Sequence, residues 1–185
     1  MKISELFETQ TNELSLHDDD FTFGPKHITS FEKQGLASTV IAGDLNCKYN
    51  FLRSLAGGPP EVRGNYNVQN NKLTSLEGVA HKIGGWLGLE GNNLTSLQGI
   101  HKLFKGGYIK EGIDISENPI SSHILGLLLI PELTEIGFDV EEFTGQDKKL
   151  LDAVRIINKH LHFKGDVIDC QQEMISAGLK EYAQL

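Results

Sequence analysis

The side chains able to do chemistry are few in this chain, and their spacing does not bring them together. His160 and His162, with Asp166 close behind, carry donor atoms for a metal ion. A zinc site takes about three or four such ligands around one point, and residues two apart on a helix face apart. No cysteine pair accompanies them, so both histidines are expected on the surface. Asp169-Cys170 would set a thiol beside an acid. Cysteine attacks as the thiolate and needs a base to form it. Cys170 falls instead on an apolar helical stripe and is expected as a buried thiol. Asp18-Asp19-Asp20 lacks the glycine and bidentate glutamate of a calcium loop and reads as a solvated turn. His81-Lys82 and His101-Lys102 recur 20 residues apart, which marks repetition of the chain rather than a proton relay. No catalytic residue, metal site or cofactor is expected.

That repetition reveals the elements beneath. GDLNCKYNFLRSL from Gly43, GNYNVQNNKLTSL from Gly64 and GWLGLEGNNLTSL from Gly85 follow one another at a step of 21 residues. Leu45, Tyr66, Leu87 and Ile113 share one phase; Cys47, Val68, Leu89 and Ile115 share a second. Asn50, Asn71, Asn92 and Asn118 follow, then Leu52, Leu73, Leu94 and Ile120. This period and pattern predict a leucine-rich-repeat solenoid, an α/β fold of about five coils with a parallel sheet. Phe21, Phe23, Ile28 and Phe31 make a weaker first coil in which Lys26 replaces the asparagine. The step from Asn92 to Asn118 is 26, placing an insertion around residues 105–110.

The physical reasons are local. Each inward Leu-sized side chain contributes about 1.5–3 kcal/mol on burial. The asparagine amide can satisfy backbone groups that the bend takes out of the ladder, each of which costs about 1–3 kcal/mol if left buried and unpaired. Gly43, Gly64, Gly85 and Gly107 are expected to permit tight turns into the strands.

At the flanks, Ile3 to about Glu8 reads as a short amphipathic helix and Leu14 to Leu16 as a strand. Ser121 or Ser122 can cap a short helix from His123 to Ile130, ended by Pro131, with a last strand at Leu133 to Ile136. Leu150, Val154, Ile157 and Leu161 give residues 146–161 a helical face. Asp166 caps a further helix carrying Val167, Cys170 and Met174 and closing near Gly178. The expected organisation is an N-terminal cap at 1–20, the solenoid at 21–120 and a helical C-terminal cap at 121–185.

Composition narrows the function classes. The formal net charge of −8 over 185 residues argues against nucleic acid as partner, because phosphate neutralisation needs clustered Lys and Arg. Two cysteines 123 positions apart make no disulfide framework and are expected to be reduced, as in the cytosol. The start of the chain lacks an apolar signal core. The run Ile124–Ile130 is far shorter than the roughly 20 residues of a membrane span.

Residues flanking the inward sites are expected on the concave face. Those picked out as partner-binding are Asp44, Asn46, Lys48, Tyr49, Asn65, Asn67, Gln69, Trp86, Glu90 and Asp114. Trp86, the one tryptophan, is either a partner anchor or a cover over the gap left by Gly88, Gly91 and Gly112. Such a face would offer only about 400 Å², against about 800 Å² per partner in a standard interface.

Leu73-Thr74-Ser75-Leu76-Glu77-Gly78 with Gly84-Gly85, Asn118-Pro119-Ile120 leading into Leu125-Gly126-Leu127-Leu128, and the end from Cys170 to Leu185 resemble small leucine-rich-repeat proteins of tailed bacteriophages. The likeness spans nearly the whole chain and implies a fold and an origin. That family's functions are largely unassigned, so it implies no active residues. The resulting expectation is a non-enzymatic module in the host cytoplasm that binds and inhibits a host or host-defence protein. The alternative is a structural or assembly component of the virion.

Overall fold

A computed structural model describes residues 15–139, 145–163 and 166–185. Each turn of the chain contributes two short parallel strands separated by a bend. One sheet stacks β1 (Ser15–His17), β3 (Thr39–Ile41), β5 (Glu61–Val62), β7 (Lys82–Ile83) and β9 (Tyr108–Ile109) in that order. The other stacks β2 (Phe21–Thr22), β4 (Leu45–Asn46), β6 (Tyr66–Asn67), β8 (Leu87–Gly88), β10 (Gly112–Asp114) and β11 (Glu135–Gly137). Register across this second sheet pairs Phe21 with Leu45, Tyr66, Leu87, Ile113 and finally Ile136. The chain is an α/β repeat solenoid of about five turns, as the repeat predicts. Beyond the strand expected near Leu16, which is β1, the first sheet is the unforeseen part. Its strands carry few inward side chains each, such as Val62 or Ile83, too few to produce an alternating pattern.

The apolar columns face inward and merge into one core running from Ile28 to Ala183. Leu45, Leu52, Leu73, Leu87 and Leu94 are wholly buried, as are both cysteine-slot neighbours Cys47 and Val68. Tyr66 fills a leucine slot, and its buried hydroxyl has no hydrogen-bond partner among the described residues. That is a local cost of about 1–3 kcal/mol.

The asparagine column ties neighbouring coils together. Asn71 Oδ1 accepts from Leu52 N at 2.9 Å while its Nδ2 donates to Cys47 O at 2.9 Å and Val68 O at 3.0 Å. Asn92 repeats this with Leu73 N, Val68 O and Leu89 O, and Asn118 with Leu94 N, Leu89 O and Ile115 O. The first of the series, Asn50, instead accepts from both His27 N and Ile28 N. All four are buried.

The turn glycines need correcting. Gly43, Gly64, Gly85 and Gly107 are not among the positive-φ residues of the described chain. They are small because a neighbour occupies the space: a Cβ on Gly64 would lie 2.2 Å from Asp44 Oδ1. The glycines that do adopt left-handed backbone in series are Gly57, Gly78 and Gly99, with φ of +78, +84 and +100. The insertion begins earlier than expected and overlaps the expected span at 105–106. Its extra residues form a 3₁₀ turn at Ile100–Leu103 and the bend after it, upstream of the regular strand β9.

Beyond the repeats, the expected helix from His123 is a 3₁₀ turn at Leu125–Leu129 with no side-chain cap; Ser122 Oγ bonds His123 Nδ1 instead. Helix α1 covers Gly145–Phe163 and α2 covers Val167–Ser176. Asp166 caps α2 as expected, accepting from Asp169 N at 2.8 Å. Gly178, at φ +78, closes it with Leu179 N donating to Met174 O and Gly178 N to Ile175 O, the Schellman pattern. The proposed helix at Ile3 to Glu8 lies outside the described residues, as does Leu14.

Asn158 of α1 blocks the open edge of β11. Its Oδ1 accepts from Ile136 N and its Nδ2 donates to Ile136 O, both at 2.8 Å. One amide thus stands where a further strand would pair, at a place where exposed edges invite association. Asn158→Ala is expected to cost about 2 kcal/mol in urea unfolding, since a part-buried amide and carbonyl lose both partners. Sedimentation velocity should also detect concentration-dependent association. Unchanged stability with a monomeric profile would refute an edge-blocking role.

Candidate functional site

Of the candidate residues, Asn46, Asn67 and Asp114 lie in strands of the second sheet and Asp44, Asn65 and Trp86 just before them, each next to a buried site, while Lys48, Tyr49, Gln69 and Glu90 follow the strands. Asn46 sits between buried Leu45 and Cys47, and Asn67 between Tyr66 and Val68. Of those picked out from sequence, Tyr49 is exposed at 58 % and the rest are half-buried.

Much of this face is already engaged in holding coils together. Asp20 Oδ1 accepts from Asp44 N at 2.7 Å, Asp44 Oδ1 from Asn65 N at 2.7 Å, and Asn65 Oδ1 from Trp86 N at 2.9 Å. Each of these side chains leans over the glycine that precedes its donor. At Trp86 the ladder changes from amide to ring. A Cβ on Gly112 would lie 2.6 Å from its Cζ3 and Cη2, so the ring rests on that glycine. This is the covering geometry, with part of the ring left accessible. Two columns over, Gln69 Nε2 donates to Glu90 Oε2 at 3.0 Å, and Ser116 Oγ donates to Asp114 Oδ1 at 2.6 Å. Asn67 stands mid-face with its Oδ1 over Gly88.

The electrostatics of the face vary along the stack. Burial raises the Glu90 carboxyl above the usual glutamate range, Asp114 and Glu117 push it the same way, and Lys48 opposes them. Left-handed backbone recurs just before each ladder asparagine, at Tyr49 (φ 57), Asn70 (φ 55), Gly91 (φ 66) and Glu117 (φ 51). For a bulky tyrosine this conformation is uncommon. The demand was missed at the sequence level, although Asn and Gly at two of the four positions signalled it.

The other chemical candidates resolve individually. Cys170 is buried, and desolvation with Glu173 nearby pushes its thiol up to about 12. Burial also raises the Cys47 thiol. Both are free, packed thiols. His162 is exposed, as expected, but His160 is not. Its Nε2 lies 2.9 Å from Glu173 Oε2 across the α1–α2 contact. The fold-back of α2, which spacing on α1 does not encode, covers that position. Hydrogen bonds from Lys159 and then His160 hold the Glu173 carboxyl below the usual glutamate range. Its contribution to the helix pair is therefore present above that range and lost as pH falls through the lowered value. Among the described residues, no group of three or more His, Cys, Asp or Glu is placed to hold a metal ion. None of the described helices is long and apolar enough to cross a membrane. A cavity of about 350 Å³ lies between Leu97, Ile100, Phe104 and Leu185 on the far side of the coils.

No protein-family model, curated protein or solved structure matches this chain.

Proposed function

We propose that this chain is a non-enzymatic protein-binding module that docks a partner on the open face of its second sheet. The observation that carries the reading is the array on that face: Asn46, Asn67, Gln69 and Glu90 stand outward on or just after three adjacent strands of the six-stranded sheet, next to side chains committed to the core. Solenoids use such extended surfaces for binding. The resemblance to phage proteins supports a host or host-defence protein as partner, inhibited by occlusion in the host cytoplasm.

The test is affinity capture from infected-cell lysate with the natural chain and with Asn67→Arg, which places a long charged side chain mid-face. Asn67 is half-buried, and circular dichroism checks that the variant folds before it is used. One stoichiometric host protein retained by the first and lost from the second is the expected result. Equal retention by both removes the sheet face as the docking site. Recovery of the chain from purified virus particles by mass spectrometry would replace the inhibitor reading with a virion component.

A further inference from the structure

The sheet face is small for a specific complex, and the solenoid's adjoining corner supplies what it lacks. Where each strand of the second sheet ends, the chain passes through the left-handed residue and the ladder asparagine before turning inward again. In the first three coils this corner carries Lys26, Lys48, Tyr49, Phe51, Arg53 and Lys72. Backbone pairing makes them neighbours: Lys26 N donates to Tyr49 O, Phe51 N to Ile28 O and Lys72 N to Leu52 O. Coils stacked this way are about 4.8 Å apart. Tyr49 and Phe51 are 58 % and 42 % exposed, two large apolar side chains in one exposed turn. None of the four cations forms an ion pair among the described residues, a property they share with Lys33, Lys105, Lys148 and Lys180; what sets them apart is their clustering in one corner.

The same edge changes sign further along. Glu117 occupies in the fifth coil the left-handed position that Tyr49 occupies in the second, with Glu90 and Asp114 close by. In a chain of net charge −8, a cationic corner without close ion pairs, touched only by the field of Glu90 on Lys48, and with two exposed aromatic rings is a segregated feature.

We propose that this corner of the first three coils, built on Lys48, Tyr49, Phe51 and Lys72, binds an acidic segment of the partner protein bearing an apolar side chain. The inference rests on the protein-binding reading and extends its surface past the sheet. The short cationic window selects a protein segment over nucleic acid. Four cations are few beside the roughly 6–10 phosphate contacts of a nucleic-acid binder, and a uniformly charged strand would run on to Glu90 and Glu117. A peptide can confine its carboxylates to the first three coils.

The experiment is fluorescence anisotropy with a labelled Glu/Asp-rich peptide containing leucines, and separately with a labelled single-stranded oligothymidylate. The variants are Lys48→Glu with Lys72→Glu, and Tyr49→Asn, which keeps a residue type that Asn70 already places in the same left-handed position. Circular dichroism checks that each folds. The peptide is expected to bind, with affinity falling about tenfold or more in the charge-reversed variant and between about 50 and 200 mM salt. Tyr49→Asn should weaken it at both salt concentrations. Equal binding by the folded charge-reversed variant, no peptide binding, or tighter binding of oligothymidylate overturns the proposal. A captured partner lost on Asn67→Arg but kept on Lys48→Glu with Lys72→Glu would sink this inference and leave the sheet-face reading standing.

Discussion

Asn71→Ala is expected to lower the unfolding free energy by about 3–5 kcal/mol, among the largest single-residue effects in the chain. Leu52 N loses the side-chain acceptor it has at 2.9 Å, in a buried setting. The carbonyls are less exposed to the loss, because Cys47 O also accepts from Asn50 Nδ2 and Val68 O from Asn92 Nδ2. One orphaned amide at about 1–3 kcal/mol, weakened carbonyl partners and a cavity beside Leu52 and Leu73 together reach the stated range. For a chain of this size that corresponds to a fall in Tm of roughly 10 °C. Asn93→Ala, exposed and one residue beyond the ladder, should stay within about 0.5 kcal/mol. Urea unfolding followed by circular dichroism reads both. A cost below about 1 kcal/mol for Asn71→Ala would show that the coils do not depend on the amide ladder.

Gly78→Ala is the second large effect, about 3 kcal/mol or more, and it comes from backbone packing. At φ +84 any Cβ is strained, and here it would lie 2.3 Å from Ala56 N and 2.4 Å from Leu55 C of the preceding coil. Backbone cannot swing aside as a side chain can, so the coils must part. Strain of about 1–3 kcal/mol adds to overpacking of about 1–3 kcal/mol. Gly178→Ala separates the two causes. It has φ +78 but nothing within 4 Å of a Cβ, so it should cost only about 1 kcal/mol. If the two substitutions cost the same, close coil contact is not what selects glycine at position 78.

These two positions differ in how readable they were. Asn71 announced itself through a strict recurrence with Asn50 and Asn92, and its role followed from the need to satisfy a bent backbone. Gly78 recurs as strictly, with Gly57 and Gly99, but the eye goes to Gly64 and Gly85 because they adjoin the strands. Only coordinates reveal that the former series carries positive φ and touching backbones while the latter makes room for Asp44 and Asn65. Trp86 is similar: its glycine neighbours suggested a gap, and the structure puts the ring directly on Gly112, while Asn67 and Asn70 are nearest to Gly88 and Gly91.

The helical end illustrates the limit from the other direction. Asp166, Gly178 and the stripe of Leu150, Val154 and Ile157 are local signals, and the helices form where these place them. The burial of His160 against Glu173 and the pairing of Asn158 with the edge of β11 depend on how helices fold back on the stack. No spacing within α1 contains that information.

By itself, then, the amino-acid order determined the coil period, the inward columns and the amide ladder, since these recur in one dimension and rest on nearest-neighbour burial. Tertiary structure decided the first sheet, the glycine contacts, the blocked edge and the clustering of unpaired cations beside Tyr49 and Phe51. Those are relations between residues of different coils and helices, and space rather than sequence distance brings them together.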